Sequence, residues 1–176
     1  MQKNLVAVVT IRKGSQRVKN KNFKPFVKKN LLQYKIEVLK QVDGLDDTII
    51  NTDSDEAIKI AKDYGVSFER REDYFASSEC SNSEFWQNIA QNTKSKFILF
   101  THCTNPLIKP ETYENIIKIF NENKNKNDSI NSVNEVKEYL YLDNKPLNFN
   151  PAKAQGSQNL PDVIKLNFAI NILSTD

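Results

Sequence analysis

Short apolar runs alternate along the chain with segments in which apolar residues recur every three or four positions. The run at residues 5–11 is continuous and rich in β-branched side chains, a pattern typical of a parallel strand buried on both faces. Apolar residues at Leu32, Ile36 and Leu39 instead mark one face of a helix. On this basis strands are predicted over 5–11, 48–53, 66–69 and 97–101, and helices over 31–42, 55–64, 84–91 and 110–120.

The alternation of strands and helices predicts an α/β fold. A right-handed crossover through each helix makes successive strands parallel, so we expect a three-layer α/β/α architecture with a mostly parallel sheet. The rhythm changes after the Asn- and Lys-rich tract at 121–128, where strands are predicted near 128–133, 139–143 and 164–173, with a turn starting at Asp143. We interpret 134–160 as an excursion from a single domain spanning 1–176, of the kind that covers a site or contacts a partner subunit.

Composition excludes several classes of protein. The 176 residues suffice for one domain, and 25 Lys and Arg against 22 Asp and Glu leave a net charge of +3, too balanced for a dedicated nucleic-acid binder. No apolar run approaches the roughly 18 residues that cross a bilayer, so we expect neither a membrane span nor a signal peptide, and predict a cytoplasmic protein. Cys80 and Cys103 lack metal-ligand spacing and a paired histidine, which argues against a disulfide scaffold, a zinc site and a nucleophilic cysteine.

Arginine is rare and unevenly placed. Against 21 lysines the chain has four arginines, Arg12, Arg17, Arg70 and Arg71. The planar fork of arginine suits phosphates, carboxylates and base edges better than the lysine ammonium does. Both places follow predicted strands, where ligands bind in open α/β sheets, and are therefore predicted to be functional loops.

The loop at 12–22 has the composition of a polyphosphate site. It follows the first buried strand and combines several Lys and Arg side chains with Gly14 and Ser15. A polyphosphate needs close backbone N–H groups, a hydroxyl and neutralising cations, and this loop offers all three. It lacks the spacing of a Walker A loop and of the dinucleotide fingerprint. The alternative is a solvated basic loop without a ligand.

Five motifs, in order along the chain, resemble those of one family. They are Arg-x-Gly-Ser-x-Arg-Val-x-x-Lys-Asn at 12–22, Asn-Thr-Asp at 51–53, Arg71 followed by Ala-Ser at 76–77, Thr-Asn-Pro-Leu at 104–107 and Asn-Phe-Ala-Ile at 167–170. Together they resemble the acylneuraminate cytidylyltransferases, the CMP-sialic acid synthetases and their relatives. The resemblance implies a Rossmann-like nucleotidyltransferase fold and a homodimer formed through the region 134–160.

The resemblance also implies a reaction. In that family the anomeric hydroxyl of a 2-keto sugar acid, such as a sialic, legionaminic or pseudaminic acid, attacks the α-phosphate of CTP. The products are the CMP-sugar and pyrophosphate, and Mg²⁺ assists. We therefore expect CTP and a small acidic sugar as partners, a role in surface glycan assembly, and no binding to nucleic acid or to a membrane.

Position by position, the resemblance implies a set of site residues. Arg12 and Lys21 are the expected catalytic cations on the triphosphate. The nucleotide is expected to contact Arg12, Gly14, Ser15, Arg17, Lys21, Asn22, Arg71, Cys80 and Asn82. The sugar acid is expected to contact His102, Thr104, Lys165 and Asn167.

The chain departs from the family pattern at several places. Gln16 stands where the family has Lys, Ser78 where it has Asp, His102 near an expected Gln, and Phe168 where it has Gly. The pair of aspartates that holds Mg²⁺ in the family lies beyond the Asn-Gly segment, so we expect this C-terminal portion to be missing. Asp53 is the remaining candidate for the metal, and a helix N-cap is its alternative role.

Two other functions stay open. The departures fit a nucleotide-binding homologue that has lost catalysis, and they also fit a cytidylyltransferase for another acceptor, such as a polyol phosphate. For His102, the alternatives to a general base are a hydrogen bond to the substrate and simple packing.

Overall fold

The computed structural model describes residues 3–14 and 18–175. These residues form strands β1 (Lys3–Ile11), β2 (Pro25–Phe26), β3 (Lys29–Asn30), β4 (Asp47–Thr52), β5 (Ser67–Arg70), β6 (Ser95–Thr101), β7 (Ser129–Val136), β8 (Tyr141–Leu142), β9 (Lys145–Pro146) and β10 (Val163–Ser174). The α-helices are α1 (Leu31–Leu39), α2 (Asp55–Asp63), α3 (Asp73–Ala76), α4 (Asn82–Asn92) and α5 (Pro110–Asn123). Short 3-10 helices lie at Lys21–Phe23, Pro151–Lys153 and Ser157–Asn159.

The chain divides into two compact units. The first comprises the described residues up to Ile130 and from Ala169 onward, and the second is Asn131–Phe168. In the first unit the strands follow the order β5-β4-β1-β6-β10. The first four are parallel, and the last part of β10 runs antiparallel to β6, with Ile170 opposite Thr101. This arrangement confirms the predicted mostly parallel α/β sheet.

The first strand is the centre of the core, because both of its faces are buried. Val6 and Val8 point to one face, where they cluster with Ile89 of α4. Ala7 and Val9 point to the other face, which α1, α2 and α5 cover. A continuous apolar run is the pattern that a strand covered on both faces requires, and the three layers predicted from it are confirmed.

Side-chain caps fix where the helices begin. Asn30 and Gln33 form a capping box at the start of α1. Ser54 caps α2 by accepting the N–H of Ala57, and Ser81 forms a second capping box at α4. The helix predicted over 31–42 ends earlier, at Leu39, because the residues that follow continue only as tight turns. The hairpin β2–β3 and the short helix α3 are absent from the sequence prediction.

The second unit contains β7 from Asn131 onward, the first part of β10 and the hairpin β8–β9. Asp143 and Asn144 form the two-residue turn of this hairpin with φ values of 49° and 61°. Aspartate and asparagine tolerate this left-handed region well, which is why the turn is visible in the sequence. The strand predicted over 139–143 is shorter than expected. The predicted excursion 134–160 lies within this unit, and its role in dimerisation stays a prediction.

None of the helices in the described part of the chain is long and apolar enough to span a membrane.

Candidate functional site

Four loops meet at the carboxyl edge of the parallel strands in the first unit. The register places Ile11 opposite Thr52, and Thr52 opposite Arg70. The residues that follow β1, β4, β5 and β6 are therefore neighbours across the sheet. The residues after β1, β5 and β6 enclose a cleft of about 340 Å³, which is lined by Thr10, Arg12, Lys21, Asn22, Arg71, His102, Cys103 and Thr104. Six of these residues are among those expected at the nucleotide or sugar.

The most firmly held cation of the cleft is Arg71. Its Nε donates to Oδ1 of Asn51 at 2.7 Å, and its Nη2 donates to the Asn51 carbonyl oxygen at 2.9 Å. Its guanidinium carbon lies 4.8 Å from the centre of the Phe85 ring. Burial lowers the pKa of Arg71 to about 10, so the group stays charged at neutral pH. These contacts leave other N–H donors of the fork for a ligand in the cleft.

The phosphate loop is anchored to the end of β4. The backbone N–H of Lys13 donates to Oδ1 of Asp53 at 2.7 Å. Gly14 follows with φ of +73°, a conformation that glycine adopts without strain. Ser15, Gln16 and Arg17 lie outside the described residues. After them the 3-10 helix at Lys21–Phe23 brings its first two residues to the cleft.

The side-chain oxygen of Asn22, Oδ1, is a buried hydrogen-bond acceptor that the described residues leave unpaired. A buried acceptor left unpaired costs roughly 1–3 kcal/mol, so such a group in a binding cleft indicates a donor supplied by the ligand. Asn22 lines the cleft beside Arg12 and Lys21. The cleft thus offers two cations, Arg12 and Lys21, to a negatively charged ligand, and it offers the Asn22 oxygen to an N–H or O–H group of that ligand.

His102 lines the cleft from the loop after β6. Its ring packs edge-on against Phe100, with 4.7 Å between the ring centres. Burial lowers the pKa of His102 below its ordinary value of 6.5, and the charges of Lys21 and Lys35 lower it further. The imidazole is therefore neutral at pH 7 and can donate or accept one hydrogen bond. Thr104, two residues on, is exposed at the mouth.

Several expected site residues do not line this cleft. Gly14 and the exposed Asn82 lie outside it, as does the half-buried Cys80, whose pKa is raised by burial. Lys165 and Asn167 belong to β10 in the second unit, where Lys165 is exposed. There Asn167 donates to Oδ1 of another asparagine, Asn134, at 2.7 Å and accepts from Ser132 at 2.6 Å.

The structure also brings forward residues that the sequence prediction missed. Thr10 and Cys103 line the cleft, and burial raises the pKa of the Cys103 thiol to about 12, so it stays protonated. Asn51 orients Arg71 through two hydrogen bonds. Its place in the Asn-Thr-Asp motif at 51–53 is the feature of the sequence that could have identified it as a site residue. Lys35 lies fully buried behind the loop after β6. Its signal was its place on the apolar stripe of α1, three residues after Leu32.

The described residues do not provide a protein-built metal centre. No group of three or more His, Cys, Asp or Glu side chains among residues 3–14 and 18–175 is placed to hold a metal ion. Asp53 contributes one carboxylate, and one of its oxygens is taken by Lys13. Mg²⁺ binds one or two carboxylates together with substrate phosphates, so Asp53 alone would need the phosphates of a bound nucleotide to complete a site. The binding of Mg²⁺ stays a prediction.

Comparison with known proteins decides the family. The family model described as cytidylyltransferase matches residues 6–160. The chain belongs to the cytidylyltransferase family. The matched range contains every residue that lines the cleft and the first four of the five motifs. The family prediction made from those motifs is therefore confirmed.

Two curated relatives are named as cytidylyltransferases of N-acylneuraminate and of pseudaminic acid. The chain is 34% identical over 85 residues to the N-acylneuraminate cytidylyltransferase of Escherichia coli O18:K1:H7, covering 48% of this chain and 20% of that protein. It is 27% identical over 130 residues to the pseudaminic acid cytidylyltransferase of Campylobacter jejuni subsp. jejuni serotype O:2, covering 70% and 56%. The chain thus spans a fifth to about half of the length of these curated relatives.

Solved structures of cytidylyltransferases share the fold. A CMP:2-keto-3-deoxy-manno-octonic acid synthetase complexed with CTP superposes with a TM-score of 0.74 at 15% identity, covering 98% of this chain and 75% of that chain. A 4-diphosphocytidyl-2C-methyl-D-erythritol synthase from Anaerococcus prevotii superposes with a TM-score of 0.66 at 12% identity, covering 99% and 71%. At these identities the likeness establishes the nucleotidyltransferase fold alone.

Proposed function

We propose that this protein is a cytidylyltransferase that transfers CMP from CTP to a sialic-acid-like 2-keto sugar acid and releases pyrophosphate. The observation that carries the proposal is the convergence of three cations, Arg12, Lys21 and Arg71, with the unpaired acceptor of Asn22 on one cleft. Membership of the cytidylyltransferase family supports the nucleotide and the reaction class. The names of the E. coli and C. jejuni relatives support the acceptor.

A bound nucleotide would supply the negative charge and the hydrogen-bond donor that the side chains of the cleft are left without. Its phosphates carry the negative charge that the clustered side chains Arg12 and Lys21 neutralise. Its base and ribose carry N–H and O–H groups, one of which can donate to Asn22 Oδ1. Arg71 is preorganised by Asn51 and needs no rearrangement to bind an anion or a base edge. Fixed donors of this kind are the main protein contribution to phosphoryl transfer.

The reaction is an in-line displacement at the α-phosphate of CTP. The anomeric oxygen of the sugar forms a bond to that phosphorus while the bond to the bridging oxygen of the β-phosphate breaks. Pyrophosphate takes the bonding pair, and the hydroxyl proton passes to solvent. Negative charge builds up on the transferring and leaving phosphates, and Arg12 and Lys21 are placed to stabilise it. His102 and Thr104 are the groups nearest the acceptor in this proposal.

The test is pyrophosphate release from CTP with a panel of 2-keto sugar acids and one polyol phosphate. Lys21→Met is compared with Lys59→Met, which removes the same charge from an exposed position of α2. We expect turnover with a sugar acid, at least about a hundredfold slower in Lys21→Met and unchanged in Lys59→Met. CTP binding without turnover on any acceptor would favour the non-catalytic homologue, and turnover on the polyol phosphate alone would replace the proposed acceptor.

A further inference from the structure

Lys35 is a fully buried lysine beneath the loop that follows β6. It projects from α1 and is 1% exposed. Its Nζ donates to the carbonyl oxygen of Asn105 at 3.2 Å and to the hydroxyl of Tyr113. The ammonium also lies 5.1 Å from the centre of the Tyr113 ring. The lysine therefore joins α1 and α5 to the loop that forms one wall of the cleft.

Its surroundings do not neutralise this charge. Within residues 3–14 and 18–175, no carboxylate forms an ion pair with Lys35. Lysine is almost never fully buried without a partner, because removing an ammonium from water is costly. A smaller apolar side chain at this place on the stripe of α1 would avoid that cost. The charge is retained at a position next to the cleft, which indicates a use for it there.

The charge of Lys35 reaches two residues of the cleft wall. It lowers the pKa of His102, and it partly opposes the rise that burial imposes on the pKa of Cys103. Both residues line the cleft. An anion bound in the cleft is therefore within the field of this ammonium.

We propose that Lys35 is a positioning residue of the nucleotide cleft, which holds the loop after β6 through the Asn105 carbonyl and adds a buried positive charge behind the cleft wall that carries His102 and Cys103. The inference rests on the proposed function, since it assumes that CTP occupies the cleft. The residue touches neither substrate nor reacting atoms. It acts through the loop and through its charge.

CTP binding should depend on pH because Lys35 loses its charge in a range where the groups facing it do not titrate. Tyr113 faces it from α5, and Cys103 and His102 face it from the loop after β6, with Lys21 beyond them. Burial raises the pKa of both Tyr113 and Cys103 to about 12, and His102 is already neutral above pH 7. Burial lowers the pKa of Lys35 to about 8, so its charge is lost between pH 7 and 9. CTP should bind more weakly as that charge disappears.

Calorimetric titration with CTP at pH 7, 8 and 9 tests this. In the wild type we expect CTP affinity to fall about fivefold from pH 7 to pH 9. Lys35→Met should bind CTP about tenfold more weakly at pH 7 and lack the Lys35 part of the slope. The change in CTP affinity that Lys35→Met still shows from pH 7 to pH 9 measures the part that comes from CTP itself. Lys59→Met is the matched control and should behave as the wild type.

Lys35→Arg separates charge from packing. Arginine keeps its charge up to pH 9, so this variant should bind CTP nearly as the wild type does at pH 7 and more tightly than the wild type at pH 9. If Lys35→Met does not fold, the comparison of Lys35→Arg with the wild type at pH 9 still tests the role of the charge. A wild type whose CTP affinity does not change from pH 7 to 9, or a Lys35→Met variant with wild-type affinity and slope, would overturn the role of Lys35. No CTP binding by the wild type would instead overturn the proposed function.

Discussion

Asp53 and Lys13 are joined by a 2.7 Å hydrogen bond from the Lys13 backbone N–H to the Asp53 carboxylate. The bond ties the end of β4 to the start of the phosphate loop. The sequence left two roles for Asp53, a helix cap and a metal ligand. In the structure the cap of α2 is the neighbouring Ser54, while Asp53 fixes the loop and its role as a metal ligand stays a prediction.

Substituting Asp53 distinguishes loop anchoring from metal binding. Asp53→Asn keeps an oxygen that accepts the Lys13 N–H, so its affinity for CTP without Mg²⁺ should stay within about threefold of the wild type. Asp53→Ala removes the acceptor and should weaken binding about tenfold, as the loss of one charge-assisted hydrogen bond predicts. Titration calorimetry measures both. Equal losses in the two variants, seen only when Mg²⁺ is present, would assign Asp53 to a metal instead.

Phe168 occupies a backbone conformation that suits glycine. Its φ is +52°, in the left-handed region. A side chain in this left-handed region costs about 1–2 kcal/mol. We therefore expect Phe168→Gly to be more stable than Phe168→Ala by about 1 kcal/mol in urea unfolding. Leu166→Gly and Leu166→Ala, in the same strand, should show the opposite order, and the same order at both positions would contradict the account.

Asn171 places an amide in an apolar setting. It is 2% exposed, pairs through its backbone with Phe100, and neither of its side-chain polar atoms has a partner among the described residues. Asn171→Leu, of similar size, should raise the free energy of unfolding by about 1–2 kcal/mol. Asn4→Leu, at an exposed position of β1, should change it by less than about 0.5 kcal/mol. A less stable Asn171→Leu would show that the amide is satisfied.

Lys35 should also set the pH dependence of stability. Its pKa is about 8 in the folded protein and 10.5 ordinarily, so between these values the unfolded chain binds more protons. The stability contributed by this position therefore rises with pH over that window, by at most about 1.4 kcal/mol per pH unit. Lys35→Met lacks this rise, so its stability relative to the wild type should fall from pH 8 to pH 10. Urea unfolding curves that shift in parallel for both proteins would exclude a lowered pKa.

Strands were predictable from the sequence where burial on both faces requires a continuous run of apolar residues. Residues 5–11 of β1 are apolar except for Thr10 because both faces of the strand are covered, and its carboxyl end then places Arg12 at the ligand edge. The turn at Asp143 was predictable because its residues tolerate positive φ. The hairpin β2–β3 was not, since its turn places Val27 at φ of +57°, which a β-branched residue rarely adopts.

The supporting residues of the site depend on contacts that no local pattern contains. Arg12, Lys21 and Arg71 stand out in the sequence by charge and by motif. That Asn51 holds Arg71 depends on the pairing of β4 with β5. Helical periodicity places Lys35 on the apolar stripe of α1, but its contacts with Asn105 and Tyr113 depend on how α1 lies against the β6 loop and α5.

The most direct test of the central claim is calorimetric titration of the protein with CTP and UTP, with ATP and GTP alongside. The two pyrimidine nucleotides have the same phosphates and ribose, so a difference between them reports contacts to the base. We predict that CTP binds at least about tenfold more tightly than UTP, the equivalent of one well-placed hydrogen bond to the base. Equal affinities for all four nucleotides, or no binding, would contradict the assignment of this cleft to CTP.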